Sequence, residues 1–214
     1  MSRMNKIEKL SKIRRICVYC GSSPGTDPAY VEAARAFGKI LAKAGIGLVY
    51  GGGAVGIMGA LAMSVHEHGG AVTGIIPEFL MKREHALHGT HELIVTRDMH
   101  ERKSKMFEMA DAFVALPGGI GTLEELVEQL TWAQLGRHKK PILLANIDGF
   151  WEPLCALLDH MRTTEFIRGE FNFDLLVADK VADILPMLQA AAPSNGTGLA
   201  LIGAGLGAGR AGSG

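Results

Sequence analysis

The sequence predicts an α/β fold in which a doubly wound, mostly parallel sheet carries helices on both faces. Short apolar runs alternate with longer stretches of helical periodicity from residue 14 to about residue 190. Several of these runs are apolar at consecutive positions, which is typical of strands buried on both faces of a parallel sheet. Because parallel neighbours need a crossover connection between them, the alternation indicates a single Rossmann-like domain.

The length and composition fit one such domain. The chain has 214 residues, 48% hydrophobic and 21% charged, which excludes a disordered or collagen-like protein. Its 22 Lys and Arg residues balance 22 Asp and Glu residues, so the surplus of cations needed to bind nucleic acid is missing. Three cysteines are too few for a disulfide framework, and no stretch resembles a targeting or membrane-spanning segment. We therefore expect a cytoplasmic protein that binds neither nucleic acid nor membrane.

Runs rich in Val, Ile and Leu, mostly bounded by Gly or Pro, predict six strands. These strands are residues 14–20, 47–50, 71–76, 92–96, 112–116 and 141–146. Helical patterns are predicted at residues 28–44, 56–68, 99–110, 121–135, 150–162 and 180–189. The first helix has the clearest ends, because Asp27 is a good N-cap, Pro28 suits the first helical position and Gly45 follows the last turn.

The two ends of the chain differ in composition from the predicted domain, which spans residues 14–190. Residues 1–13 form a basic N-terminal arm, for which we expect a solvated or frayed structure. Residues 191–214 form a tail rich in Gly and Ala, which has little side chain to bury and a high entropic cost of ordering. We expect this tail to be flexible.

Three glycine-rich loops follow predicted strands, at residues 20–23, 51–56 and 117–122. The carboxyl ends of parallel strands share one edge of the sheet, so these loops should lie close together. Backbone N–H groups in such loops can approach an anion closely, and the helix N-termini behind them add partial positive charge. Three loops together favour a phosphate-binding site over three unrelated tight turns.

The second loop formally matches the dinucleotide-binding fingerprint through Gly51, Gly53 and Gly56. That fingerprint also requires an acidic residue about 20 positions further on, at the end of the next strand. The first carboxylate there is Glu78, beyond Pro77, so the sequence disfavours a nicotinamide cofactor. The pattern of a P-loop nucleotidase is missing altogether, and we expect no cofactor. We expect no metal either, because the histidines at positions 66, 68, 85, 88 and 91 have no nearby set of Asp or Cys ligands.

Thr122 and Glu125 have the spacing of a capping box, with Thr122 as the N-cap and Glu125 as the third helical residue. Taken alone, this spacing favours a structural role for Glu125. An ionised carboxylate beside a phosphate site is unusual, however, unless a cation is to be stabilised there. The oxocarbenium-like sugar that forms when a glycosidic bond breaks is such a cation.

The next candidate residues lie on the helix that begins at Met99, for which Asp98 is the predicted N-cap. Helical spacing places Arg102 and Lys103 on the inward stripe with Met106, where apolar residues are expected. Either their stems lie along apolar surface while their charges reach water, or they point into the crevice. We favour the crevice, where Arg can contact phosphate or carboxylate through two N–H groups.

At these residues the sequence resembles the Lonely Guy family of cytokinin-activating phosphoribohydrolases, whose members are often mislabelled lysine decarboxylases. The family pattern Pro-Gly-Gly-x-Gly-Thr-x-x-Glu is present at residues 117–125, and its companion Met-x-x-Arg-Lys at residues 99–103. Residues 51–59 are similar to the family's glycine loop, and residues 131–136 to its next helical segment. The resemblance covers residues 14–190.

The resemblance implies hydrolysis of nucleoside 5′-monophosphates, typically N6-substituted adenosine monophosphates, to free base and ribose 5-phosphate. It implies that Arg102 and Glu125 are the catalytic pair of a metal-independent enzyme that is usually a homodimer. With the loops described above, it gives a set of predicted phosphate- and substrate-binding residues: Glu84, Lys103, Gly118, Gly119, Ile120, Gly121, Thr122, Leu123, Glu124, Thr131, Gly21, Ser22, Gly52 and Gly53.

Two other functions stand as alternatives. A non-catalytic nucleotide sensor would use the same fold and loops, but binding a monophosphate gains nothing from an adjacent carboxylate. Lysine decarboxylation would need pyridoxal phosphate on a Schiff-base lysine. The usual Ser-x-His-Lys around such a lysine is missing, because His138 and Lys139 follow Gly136 and Arg137.

Cys17 and Cys20 formally match the Cys-x-x-Cys pattern of redox proteins. Redox pairs lie at a helix N-terminus, whereas these two residues lie along a predicted strand and point to opposite faces. We therefore interpret them as small buried hydrophobic residues.

Overall fold

The computed structural model describes residues 13–81, 92–167 and 174–193. The strands in these ranges are β1 (Arg15–Tyr19), β2 (Gly47–Tyr50), β3 (Val72–Pro77), β4 (Glu92–Thr96), β5 (Ala112–Ala115), β6 (Ile142–Ala145) and β7 (Leu175–Ala178). They form one sheet in the order β4-β3-β2-β1-β5-β6-β7, and all neighbouring strands are parallel. The predicted doubly wound parallel sheet is confirmed.

Helices cover both faces of the sheet. They are α1 (Pro28–Lys43), α2 (Gly56–Glu67), α3 (Met99–Met109), α4 (Ile120–Gln134), α5 (Glu152–Thr163) and α6 (Val181–Ala191). Helices α1, α2 and α6 bury residues such as Phe37, Leu61 and Leu188 against one face. Helices α3, α4 and α5 bury residues such as Met106 and Leu130 against the other. In the described part of the chain, no helix is both long and apolar enough to cross a membrane.

Strand β1 shows why its apolar residues occur at consecutive positions. Ile16 and Val18 lie in the core on one face, and Cys17 and Tyr19 lie in the core on the other. Cys20, just beyond the strand, lies on the same side as Val18. Both thiols are free, and burial raises the pKa of each of them. This confirms that the two cysteines are small buried residues on opposite faces.

The sheet order reverses between β1 and β5. Strands β1–β4 fill one half of the sheet and β5–β7 the other half. In open parallel sheets, ligands bind at the carboxyl ends of the strands next to such a reversal. The loops that follow β1 and β5 therefore mark the place where a site is expected.

Two predicted helix caps are confirmed. The Asp27 side chain accepts a hydrogen bond from the N–H of Ala29 at 2.9 Å, and Pro28 is the first residue of α1. The Asp98 side chain accepts from the N–H of Glu101, also at 2.9 Å, at the start of α3. These carboxylates satisfy backbone donors that have no partner inside the helix.

The predicted capping box at the start of α4 is wrong. Gly119 is the N-cap, and Thr122 is already the third helical residue, without a side-chain cap. The helix begins early because the Gly119 carbonyl accepts the first helical hydrogen bond, from the N–H of Leu123 at 3.0 Å. Glu125 therefore lies in the second turn of α4 and does not cap the helix. A capping role cannot explain why a carboxylate occurs at this position.

One strand of the sheet was not predicted. Strand β7 is a run of four residues, Leu175–Ala178, that pairs with β6 at the edge of the sheet. Because an edge strand has one neighbour and is covered less fully, its apolar signal is short and weak.

The basic arm, apart from Ile13, and tail residues 194–214 lie outside the described ranges.

Candidate active site

A cavity of about 270 Å³ lies at the carboxyl end of β1, where the sheet order reverses. Its walls come from the loops after β1, β2 and β5 and from the first turns of α3 and α4. The lining residues are Val18, Tyr19, Cys20, Gly21, Ser22, Gly51, Met58, Met99, Arg102, Gly119, Ile120, Gly121, Thr122, Glu124 and Glu125. The glycine loops that the sequence analysis expected to lie together thus share one cavity.

Backbone hydrogen bonds hold two of these loops and α2 in contact. The N–H of Gly21 donates to the carbonyl of Pro117 at 3.1 Å, and the N–H of Met58 donates to the carbonyl of Gly21 at 3.2 Å. Gly118 is packed closely against this junction, because a Cβ there would lie 2.9 Å from the nitrogen of Gly21. Gly118 therefore joins the loops and does not line the cavity.

The N-terminus of α4 forms the anion-binding wall of the cavity. By helix geometry, the N–H groups of Ile120, Gly121 and Thr122 have no acceptor within the helix. The positive end of the helix dipole lies at the same place. A Cβ added at Gly119 or Gly121 would meet no protein atom within 4 Å, so this part of the backbone is open to a ligand. Such an arrangement suits a phosphate group.

The open backbone at Gly121 leads to a testable prediction. Gly121→Ala is expected to keep or raise the stability of α4, because Ala is favoured over Gly in helices by about 1 kcal/mol. The added methyl group would occupy space in front of the N–H groups, so we expect the KM for a nucleotide to rise by roughly 10-fold, or about 1.4 kcal/mol. Initial rates and urea unfolding measure the two effects. An unchanged KM would contradict a phosphate site at this position.

Arg102 is buried and fixed by backbone carbonyls at the end of the sheet. Only 6% of the residue is exposed. Its Nε donates to the carbonyl of Ile75 at 3.1 Å, and its Nη2 donates to the carbonyl of Gly51 at 3.4 Å. A Cβ at Gly51 would collide with this Nη2, so the position of the guanidinium depends on a glycine there. The prediction that Arg102 points into the crevice is confirmed.

Glu125 faces Arg102 across the cavity. Its Oε1 lies 3.6 Å from Nη2 of Arg102, and both side chains are nearly buried. Burial, and then the negative charge of Glu125, raises the pKa of the Cys20 thiol. Cys20 therefore stays protonated beside the carboxylate and is a poor nucleophile. The cavity thus combines a fixed cation, a carboxylate and an anion-binding helix N-terminus.

Lys103 lies outside the cavity, between α3 and α4. Its Nζ is 2.6 Å from Oε1 of Glu124 and 2.9 Å from Oε1 of Glu128. Burial lowers the pKa of Lys103, but its hydrogen bonds to the two carboxylates outweigh that effect, and the pKa is raised overall. The prediction that Lys103 points into the crevice is therefore wrong, because carboxylates on α4 hold its ammonium group between the two helices. A contact of Lys103 with substrate remains only what the resemblance implies.

The remaining predicted residues divide into two groups. Gly21, Ser22, Gly119, Ile120, Gly121, Thr122 and Glu124 line the cavity. Gly52, Gly53, Leu123 and Thr131 are absent from its wall. The Thr131 hydroxyl donates to the carbonyl of Val127 within α4 at 2.8 Å, and this residue is exposed. Glu84 lies outside the described residues.

Six lining residues were not among the individually predicted site residues, although Cys20 and Gly51 belong to two of the predicted glycine-rich loops: Val18, Tyr19, Cys20, Gly51, Met58 and Met99. Most of them are apolar and occur at the end of a strand or in the first turns of a helix. Their side chains carry no chemical signal in the sequence. Their position at the carboxyl edge of a parallel sheet was the only sign that could have found them.

At least two other cavities in the described part of the chain are larger than this one. One, of about 770 Å³, lies between α1 and α2, and the other, of about 470 Å³, lies beside the amino end of β6. Neither is lined by a buried cation facing a carboxylate. The smaller cavity at the sheet reversal therefore remains the candidate active site.

Comparison with known proteins gives matches over most of the chain. A family model described as "Possible lysine decarboxylase" matches residues 58–188. The cytokinin riboside 5′-monophosphate phosphoribohydrolase LOG of Oryza sativa subsp. japonica is 45% identical over 192 residues, which are 90% of this chain and 79% of the relative. The phosphoribohydrolase LOG7 of Arabidopsis thaliana is 45% identical over 186 residues, which are 87% of this chain and 86% of the relative.

Solved structures share the fold at lower identity. The molybdenum cofactor binding protein of Rippkaea orientalis superposes with a TM-score of 0.63 and 23% identity, covering 84% of this chain and 97% of that chain. The Moco carrier protein of Chlamydomonas reinhardtii also has a TM-score of 0.63 and 23% identity, and covers 84% and 98% of the two chains. At this identity the likeness concerns the fold alone. On the family model and the plant relatives, the chain belongs to the Lonely Guy family of cytokinin riboside 5′-monophosphate phosphoribohydrolases.

Proposed function

We propose that this protein hydrolyses the N-glycosidic bond of nucleoside 5′-monophosphates, in particular N6-substituted adenosine monophosphates, to free base and ribose 5-phosphate. The observation that carries the proposal is the pair formed by Arg102 and Glu125 beside the open N-terminus of α4. A phosphate site and a buried carboxylate in one cavity suit a substrate that is anionic at one end and becomes cationic at its sugar. Plant relatives named for this activity, at 45% identity, support it.

The geometry gives each group a role. The N–H groups at the start of α4 bind the 5′-phosphate, and Arg102 adds a fixed positive charge to the same wall. When the bond between C1′ and the base breaks, its electron pair leaves with the base nitrogen, which gains a proton as the attacking water loses one. The sugar becomes positively charged during this step. Glu125 stabilises this charge or orients the water that attacks C1′. The buried position of both side chains strengthens these interactions relative to water.

The cavity does not fit a lysine decarboxylase. That reaction needs a lysine that can hold pyridoxal phosphate as a Schiff base. Among the residues that the structure describes, no lysine lines the cavity, and Lys103 next to it is engaged by two carboxylates. Lys139 and Lys140 precede β6. They therefore lie at the amino ends of the parallel strands, whereas the cavity lies at the carboxyl ends. The description of the family model thus does not match the chemistry of these residues.

A substrate comparison tests the proposal. Purified protein is incubated with AMP, with isopentenyladenosine 5′-monophosphate and with the two corresponding nucleosides, and free base is followed by chromatography. We expect base release from the monophosphates and little from the nucleosides, which cannot use the phosphate site. The ratio of the two monophosphate rates identifies the preferred base. Binding without release from either nucleotide would favour the nucleotide sensor instead.

We further propose that two copies associate through the outer face of α4. Ile120, Val127 and Leu135 lie on one stripe of this helix or its end, with exposed fractions of 82%, 44% and 74%. An exposed apolar stripe of this kind is typical of an interface between subunits. Light scattering is expected to give twice the mass of one chain.

We also propose a location in the cytoplasm. The free thiols of all three cysteines support this location, because the cytoplasm is reducing.

A further inference from the structure

Two neighbouring cations on α3 make ion pairs with α4. Arg102 lines the cavity and faces Glu125. Lys103, which does not line the cavity, bridges Glu124 and Glu128. We propose that Glu128, acting through Lys103, is a positioning residue that sets the separation between Arg102 and Glu125. This inference rests on the proposed function, because it assigns a role in the same reaction.

The distances show which contact can hold the helices. The 3.6 Å between Nη2 of Arg102 and Oε1 of Glu125 is too long for a hydrogen bond, so direct contact between these two atoms does not set their separation. The contacts of Lys103 at 2.6 and 2.9 Å have the length of charge-assisted hydrogen bonds. Lys103 follows Arg102 directly on α3, so its contact with α4 lies next to the pair formed by Arg102 and Glu125.

Glu128 is placed to act through Lys103 and not on a ligand. It lies three residues, or roughly 4.5 Å along the helix, beyond Glu125, and it is absent from the cavity wall. One of its oxygens contacts Lys103, and the other is buried without a hydrogen-bond partner among the described residues. By contrast, Glu124 lines the cavity, and its side chain is 51% exposed, so it can turn towards a ligand. Glu128 is therefore the less exposed of the two partners of Lys103 and the one that does not line the cavity.

The far ends of the two helices are held by a different contact. The rings of Phe107 on α3 and Trp132 on α4 pack edge to face, with their centroids 5.0 Å apart. Without Lys103 and Glu128, the helices would stay joined at this aromatic contact but could separate next to the cavity. Because backbone carbonyls of the sheet hold Arg102, a small opening there would move Glu125 on α4 away from it, and displacements of this size have large effects on catalytic rates.

A double-mutant cycle on Lys103 and Glu128 tests the proposal. Lys103→Met and Glu128→Gln keep the shape of each side chain while removing its charge. We expect each variant to lower kcat by roughly 10-fold with little change in KM, and the double variant to be no slower than Lys103→Met alone. The control Asp159→Asn removes an ion pair of 2.7 Å on α5, away from the cavity, and should leave kcat unchanged.

The outcomes separate this inference from the proposed function. Failure of the unmodified protein to hydrolyse any nucleotide would refute the function. An active protein in which Glu128→Gln has normal kcat, or in which Lys103→Met raises only KM, would overturn the positioning role and make Lys103 a substrate ligand. Urea unfolding of the unmodified protein, the two single variants and the double variant tests the contact without turnover. Strictly additive shifts of the unfolding midpoint would show that Lys103 and Glu128 are not coupled.

Discussion

Replacing Glu125 with glutamine is expected to lower kcat by about 10²- to 10³-fold while leaving the fold intact. Glutamine has the same shape but no negative charge, so it can neither stabilise a cationic sugar nor accept a proton from water. Glu125 lies in the second turn of α4 and does not cap the helix, so the substitution removes no helix cap. Initial rates of base release and the urea unfolding midpoint measure the two effects.

The control for this prediction is Glu125→Asp. Aspartate keeps the charge but shortens the side chain by one methylene, so we expect activity between that of the unmodified protein and that of Glu125→Gln. A Glu125→Gln variant with nearly normal turnover would refute the catalytic role of this carboxylate. A variant that loses activity together with its fold would instead indicate a structural role.

Replacing Arg102 with methionine is expected to reduce both activity and stability. The guanidinium supplies hydrogen bonds to the buried carbonyls of Ile75 and Gly51 and the positive charge that faces Glu125. Removing one partner of a buried ion pair typically costs about 3 kcal/mol or more. We expect a loss of about this size in the free energy of unfolding in urea, and a fall in kcat of at least about 10²-fold.

Two further variants show whether charge explains the effect of Arg102. Arg102→Lys keeps the charge but replaces the planar, forked guanidinium with a single ammonium group, so it should be less harmful to stability than methionine and still impaired in turnover. The double variant Arg102→Met/Glu125→Gln should recover part of the lost stability, because it no longer buries a carboxylate opposite an apolar side chain. Full stability of Arg102→Met would contradict the buried ion pair.

The sequence predicted the fold well because its signals are local. Consecutive apolar residues identify strands buried on both faces, and six strands were predicted to within one residue at either end. Strand β7 was missed because four apolar residues at a sheet edge give little periodicity. The start of α4 was misplaced because Gly119, which has no capping side chain, begins the helix three residues before Thr122.

The site was predictable in part. The excess of cations on the inward stripe of α3 correctly placed Arg102 in the crevice. The same periodicity could not show that Arg102 points into the cavity while Lys103 points towards α4. Periodicity predicts which residues share a face of a helix, but it does not predict which other element that face contacts. Lys103 contacts carboxylates 21 and 25 residues away on α4, and contacts at such distances along the chain depend on how the helices pack.

The most direct test of the proposed activity is the product balance of a single reaction. The protein is incubated with isopentenyladenosine 5′-monophosphate, and base, nucleoside, phosphate and sugar phosphate are each quantified by mass spectrometry. Cleavage at C1′ predicts equal amounts of isopentenyladenine and ribose 5-phosphate, and their loss in Glu125→Gln. The appearance of nucleoside with inorganic phosphate, or an unchanged nucleotide that still binds, would contradict it.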